Sequence, residues 1–220
     1  MAIVLCVGHA VQDFVFSVDA LPARGEKYRA RAFETVGGGP AATAAVAIAK
    51  LGGTARLAAR LGDDAIADVV VAELERHGVD CAWLRRQAGR TTSLSAVMLD
   101  RAGERMIVNY LDPELPSGAE WLPDPAALGA RAVLGDVRWP EGSARALARA
   151  KAAGIPAVLD ADRPVPLDGA LLACATHVAF SADGLCEYAG DPDPLSALRT
   201  VGARLDAWCC VTTGADGVHV

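Results

Sequence analysis

The residues best placed to do chemistry on a small ligand begin with the run Val36-Gly37-Gly38-Gly39-Pro40-Ala41-Ala42-Thr43-Ala44-Ala45, which sets three glycines ahead of an alanine-rich helix. Glycine lets a ligand reach the backbone, and the N–H groups of a helix N-terminus attract oxygen-rich or anionic groups. The run lacks the Gly-Lys-Ser/Thr ending of a Walker loop and the G-x-G-x-x-G spacing of a dinucleotide turn, and a tight turn with close helix packing explains it equally well. Asp13 follows the first apolar stretch in Gly8-His9-Ala10-Val11-Gln12-Asp13. There it could accept hydrogen bonds from sugar hydroxyls, or be an ordinary solvated loop acid. Arg138, in Gly135-Asp136-Val137-Arg138-Trp139-Pro140, could clamp an anion with two parallel hydrogen bonds, or pair with Asp136. Asn109 and Lys27, at the end and the start of extended segments, each read as surface residues when taken alone. Val211-Thr212-Thr213-Gly214-Ala215-Asp216-Gly217-Val218 reads as strand, glycine turn and strand, which could hold a nucleotide phosphate or be a simple hairpin.

Other reactive side chains carry less. His9, His77, His177 and His219 share no metal-ligand spacing, and no Ser-His-Asp or Cys-His arrangement can be argued. Asp63-Asp64 precedes a helix and is explained by capping and dipole compensation. None of the six cysteines forms a C-x-x-C pair, so reduced thiols in a cytoplasmic protein are the simplest account.

The elements that must position these residues alternate. Residues 1–8 read as a buried strand ended by glycine, and 40–51 as a helix with proline in its first turn and Gly52-Gly53 at its end. Further strands are expected over 55–60, 81–85, 132–135, 157–160, 177–180 and 208–212. Helices are expected over 64–77, 142–153, 166–173, 183–189 and 194–205. This rhythm implies right-handed crossovers and a mainly parallel, doubly wound α/β sheet covered on both faces. Two extended patches break it. Residues 14–36 and 93–109, the second a hairpin around 100–103, mix polar and apolar residues as one-sided strands do, and they predict a small separate β-sheet.

Composition excludes other classes. With 220 residues and a hydrophobic fraction of 52%, the chain can bury a large core, while no apolar run reaches bilayer length. A net charge of −6 leaves no basic face for nucleic acid. The first sixteen residues lack the basic start of a signal peptide. Neither a membrane nor a nucleic-acid partner is expected.

Taken together, the pieces resemble the ribokinase-like, or PfkB, family of carbohydrate kinases. The most specific stretch is residues 38–52, supported by Gly62-Asp63-Asp64 and by residues 211–218. The resemblance implies an ATP- and Mg²⁺-dependent kinase domain over 1–220 with a small β-sheet lid, which often doubles as a homodimer interface. Ser181, Thr212 and Gly214 would lie on the nucleotide side. Gly25-Glu26-Lys27-Tyr28, Val108-Asn109-Tyr110 and Asp136-Val137-Arg138-Trp139 further resemble the branch that phosphorylates 6-deoxy-6-sulfofructose at O1 in sulfoquinovose breakdown. In that branch a sulfonate pocket would fall on Lys27, Asn109 and Arg138, with Asp13, Gly38, Gly39 and Thr43 around the rest of the sugar. Another sugar, sugar phosphate or nucleoside as acceptor remains open. Three departures stand out. Thr43 replaces the family's asparagine, and Ser181-Ala182-Asp183-Gly184 replaces its Asn-x-x-Glu motif, which organises phosphate and Mg²⁺. The Gly-Ala-Gly-Asp segment with the catalytic aspartate is expected beyond Val220. The 220 residues alone are therefore expected to be inactive, or to form a non-catalytic sugar-binding protein if the chain ends there.

Overall fold

The computed structural model describes residues 2–163, 165 and 169–220. The chain opens with β1 (Ile3–Gly8), β2 (Val11–Ser17), β3 (Ala32–Gly38) and α1 (Pro40–Lys50). It continues through β4 (Thr54–Gly62), α2 (Ala65–Arg76), β5 (Asp80–Gln87), β6 (Leu94–Leu99) and β7 (Arg105–Tyr110). Then come β8 (Ala130–Asp136), α3 (Pro140–Ala152), β9 (Ala157–Ala161), α4 (Ala170–Ala173) and β10 (His177–Ser181). The last elements are α5 (Ala182–Ala189), α6 (Pro194–Gly202), β11 (Trp208–Thr212) and β12 (Val218–His219).

The larger sheet has eight strands in the order β12-β11-β10-β9-β8-β1-β4-β5. Every pair is parallel except β11–β12. Side-chain alternation splits its core into two layers. Leu5, Val7, Ala58, Val133 and Leu159 face one side and pack with buried residues of α3, α4, α5 and α6. Cys6, Leu57, Ala59 and Leu61 face the other and meet Ala41, Ala45, Ala67, Val70 and Leu74 of α1 and α2. Small side chains on α1 let that helix sit close to the sheet. Asp64 caps α2 by accepting a hydrogen bond from the Ala67 amide at 2.9 Å, as its position before the helix predicts. Among the described residues no helix is long and apolar enough to cross a membrane.

The two patches that broke the alternation form a separate four-stranded sheet, β3-β2-β6-β7, which we call the lid. Its outer pairs are antiparallel, and β2 runs parallel to β6 in register Gln12 with Leu94 through Ser17 with Leu99.

Several expectations need correction. Asp13 is not in a loop beyond the first strand but within β2, paired with Val36 and Ser95, because the chain turns at His9–Ala10 and enters the lid at once. The second lid strand begins at Ala32 rather than near residue 28, so Lys27 lies on the exposed connection before it. The helix expected over 166–173 spans only Ala170–Ala173, and residues 166–168 lie outside the described ones. Helix α6 stops at Gly202, short of residue 205. Residues 211–218 form a hairpin with a short 3₁₀ turn at Gly214–Asp216.

Candidate active site

In an open α/β sheet ligands collect outside the carboxyl ends of the strands, at the point where strand order reverses. Here that point lies beside β1, where β4 follows on one side and β8 on the other. Gly8 and His9 end β1, and Asp136 to Arg138 end β8. The lid stands directly above, because β2 leaves β1 after two residues. A cleft of about 370 Å³ opens between them, lined by His9, Val11, Asp13, Gly39, Pro40, Ser95, Ile107, Asn109, Arg138 and Arg163. It continues past Gly37, Gly38 and Thr43 to Asp160 and Asp162 at the end of β9.

The glycine run is explained by what crowds it. A Cβ at Gly38 would stand 2.4 Å from an Asp13 carboxylate oxygen, so any side chain there would displace the acid from the cleft. Gly39 has φ +95 and would bring a Cβ within 2.4 Å of the His9 carbonyl, so glycine is required for both conformation and space. The His9 carbonyl in turn accepts the Ala42 amide at 3.2 Å, which ties the start of α1 to the end of β1.

On the lid side, Asn109 pairs with Ser95 across β6–β7. Its Nδ2 donates to the Ser95 hydroxyl at 3.1 Å and to the Leu94 carbonyl at 3.2 Å, which holds the amide side chain against the lid. The Ser93 hydroxyl donates to the Tyr110 carbonyl at 2.9 Å, so it accepts from His9 Nε2 at 3.1 Å. Burial, reinforced by Arg138 and Arg60, holds the His9 pKa down at about 4, so the ring is neutral at pH 7.

On the sheet side, the pairing expected between Arg138 and Asp136 is not made by the guanidinium. That group forms a two-pronged ion pair with Asp162, at 2.5 and 3.4 Å, and only the Arg138 main-chain amide donates to Asp136, at 2.9 Å. Asp160 lies nearby, and burial, with the Asp162 and Asp136 charges, raises its pKa to about 6.

Of the residues singled out in the sequence, Asp13, Gly38, Gly39, Thr43, Asn109 and Arg138 thus meet in one continuous cleft. Lys27 does not line it. Sequence reasoning missed Arg163 and His9. Arg163 stood three residues past an expected strand with no motif to mark it, and His9 was set aside for lack of metal-ligand spacing. Arg163 makes no ion pair among the described residues.

Ser181, Thr212 and Gly214 sit further along the same sheet edge. Ser181 neighbours Thr212 in register, and the Thr212 hydroxyl donates to the Phe180 carbonyl at 3.3 Å. Ser181 Oγ accepts the Gly184 amide and donates to the Asp162 carbonyl, both at 3.0 Å, so it caps α5. A Cβ at Gly184 would stand 3.0 Å from the main chain of Arg163, leaving no room for a larger residue. This turn presents no carboxylate where the family's motif has one, and it does not fit the Mg²⁺-organising role. Among the described residues no group of three or more His, Cys, Asp or Glu is placed to hold a metal.

With the cleft, the glycine run and the lid described, comparison with known proteins identifies the family. The pfkB family carbohydrate kinase profile matches residues 1–220, and the chain belongs to that family. Fructokinase-1 of Oryza sativa subsp. japonica is 35% identical over 111 residues, which cover 50% of this chain and 33% of that protein. Ribokinase of Mus musculus is 24% identical over 229 residues, 98% of this chain and 70% of the relative. The chain thus spans about a third of the length of the plant fructokinase it matches. A crystal structure of a candidate ribokinase from Agrobacterium tumefaciens superposes with a TM-score of 0.93 at 32% identity, covering 99% of this chain and 72% of that one. Ribokinase of Arabidopsis thaliana, solved with ribose and ATP, shares the fold with a TM-score of 0.80 at 24% identity, over 99% of this chain and 74% of its own.

Proposed function

We propose that this chain forms the acceptor-binding part of an ATP-dependent sugar kinase whose acceptor is an anionic ketose, 6-deoxy-6-sulfofructose foremost, phosphorylated at O1. The observation that carries this reading is the placement of Arg138, Arg163 and Asn109 in the same cleft as Asp13 and the Gly38–Gly39 backbone. The Asp13 carboxylate accepts hydroxyl hydrogen bonds, and the glycine backbone admits the sugar closely. The Arg163 guanidinium, with no ion pair among the described residues, and that of Arg138, on exchanging Asp162 for the ligand, would suit a sulfonate, which stays charged at every physiological pH. Lys27, the third sulfonate contact implied by the resemblance, is proposed to act only if its exposed connection moves toward the cleft.

ATP is proposed to lie along the edge marked by Ser181, Thr212 and Gly214. Mg²⁺ is proposed to arrive on its phosphates, since Gly184 stands where the family's motif has its carboxylate. Positioning and electrostatics dominate phosphoryl transfer, so what these residues supply is a fixed acceptor in a partly dry cleft. The base that deprotonates the acceptor is proposed to be an aspartate beyond Val220. The lid exposes Phe33 and Val108, each more than half accessible and on the face opposite Asp13 and Asn109, and a homodimer through this sheet is proposed on that ground. All six cysteines are free thiols, which supports a cytoplasmic setting.

The test uses the product of the intact reading frame, assayed for ATP-dependent phosphorylation of 6-deoxy-6-sulfofructose, fructose 6-phosphate and fructose. The expected kcat/KM for the sulfonate exceeds that for fructose by about a hundredfold or more, the range a dedicated charged contact supplies. Equal or greater activity on fructose overturns the acceptor assignment. Preference for fructose 6-phosphate keeps an anionic acceptor but changes its identity. Binding without turnover leaves a sugar-binding protein.

A further inference from the structure

Asp136 is fully buried, yet no ligand can reach it and the proposed chemistry does not use it. Its carboxylate is spent on three main-chain donors from three separate segments. One oxygen accepts the amides of His9 at 2.8 Å and Ala41 at 3.1 Å, and the other accepts the amide of Arg138 at 2.9 Å. The first donor lies at the turn from core to lid and the second in the first turn of α1. The third is the amide of the cationic residue of the cleft. His9, Arg138 and Pro40, the neighbour of Ala41, all line that cleft. The space is closed around the acid. A Cβ on Gly8 would fall 2.2 Å from its oxygen, and Ser143 Oγ donates to the Asp136 carbonyl at 2.6 Å, fixing the main chain as well. Burial raises its pKa and the three amides oppose that rise, so the site tolerates an acid there only because these donors are supplied.

We propose that Asp136 is a positioning residue for acceptor recognition, one carboxylate that sets the turn presenting Arg138 and, through its other oxygen, joins the end of β1 to the start of α1. The proposal rests on the anionic-acceptor reading above and divides the acid's work between its two oxygens.

That division gives two variants opposite expectations. In Asp136→Asn the amide oxygen best serves the two donors of His9 and Ala41, which leaves NH₂ against the Arg138 amide. Binding of 6-deoxy-6-sulfofructose should weaken about tenfold, the effect of one frustrated buried donor, while fructose binding changes by less than about threefold. In Asp136→Ser the hydroxyl can still accept the Arg138 amide two residues on, as serine turns do, but cannot reach the other segments. Both sugars should then weaken alike, and their ratio should stay that of the wild type.

The measurement is calorimetric binding of the two sugars to the intact gene product, with Arg138→Ala as a third background. In that background Asp136→Asn should cost no further sulfofructose affinity, as coupled residues require. Equal loss of both sugars in Asp136→Asn, or full additivity with Arg138→Ala, overturns the proposal. If the Asn protein does not fold, the Ser ratio decides. If neither folds, amide resonances of the wild type decide: Arg138 N–H must respond to sulfofructose and not to fructose, and a silent Arg138 amide refutes the role. A wild-type protein without preference for sulfofructose sinks the acceptor reading itself. Preference in the wild type with parallel losses in the variant sinks only the role of Asp136.

Discussion

The two sheets of this molecule solve different problems. In the eight-stranded sheet β1 is covered on both faces, with Leu5, Cys6 and Val7 wholly inaccessible, and residues of both parities are apolar. In the lid, β3 and β7 are exposed along nearly their whole length and carry Phe33 and Val108 into solvent. A strand covered twice is held by burial, while a strand covered once is held by its ladder and by whatever meets its open face. The core can therefore change little without unfolding. The lid can change its surface, and with it the acceptor end of the cleft, at small cost to stability.

The contrast can be broken most sharply in the core. Leu57→Ala empties a fully buried position between β4 and α1 and should cost about 2–5 kcal/mol, read as a fall in denaturation midpoint. A loss near zero would mean the two layers are less tightly packed than described. Next comes the seam between the regions. Gly38→Ala should displace Asp13 and weaken acceptor binding by about tenfold or more, with a far smaller change in melting, since Gly38 needs room rather than a special φ.

A third measurement uses pH. Asp160, with its pKa raised to about 6, binds its proton more tightly in the native state, so its contribution to stability falls as pH rises from about 4 to 6. His9, lowered to about 4, does the reverse, and its contribution rises with pH over about 4 to 6.5. The two slopes oppose each other in the wild type. Asp160→Asn should remove the first, leaving stability that climbs across that window in thermal melts. An unchanged or falling profile would count against the His9 assignment. Smallest is the effect of Val108→Ser on the exposed lid face, within about 0.5 kcal/mol of the wild type in stability. Sedimentation of the same variant should nonetheless show a weakened dimer. A wild type that sediments as a monomer would remove that reason for the exposed lid.

Much of this contrast was legible in the sequence. Strand and helix alternate audibly where both faces are buried, and the mixed patches 14–36 and 93–109 marked the lid because one-sided strands carry a different pattern. Asp13, Asn109 and Arg138 line one cleft. What could not be read was anything decided by the meeting of distant segments. The partner of the Arg138 guanidinium is Asp162, 24 residues on, not the neighbouring Asp136. Asp136 entered only as an ion-pair partner for Arg138, although two of its donors come from the first 41 residues. Lys27 shows the limit from the other side, since a motif match alone could not tell that its connection would run outside the cleft.

The parallel pairing of β2 with β6 has a consequence in time. It joins residues 12–17 to residues 94–99, so the central seam of the lid closes a loop of roughly eighty residues containing β4, α2 and β5. Local hairpins such as β6–β7 form without waiting, but this seam offers no return until the intervening units have collapsed against β1. The lid is thus expected to assemble last, and substitutions at Val15 or Val97 to speed unfolding while leaving the folding rate nearly unchanged. The part of the molecule that covers the cleft is the part the chain completes after everything beneath it is in place.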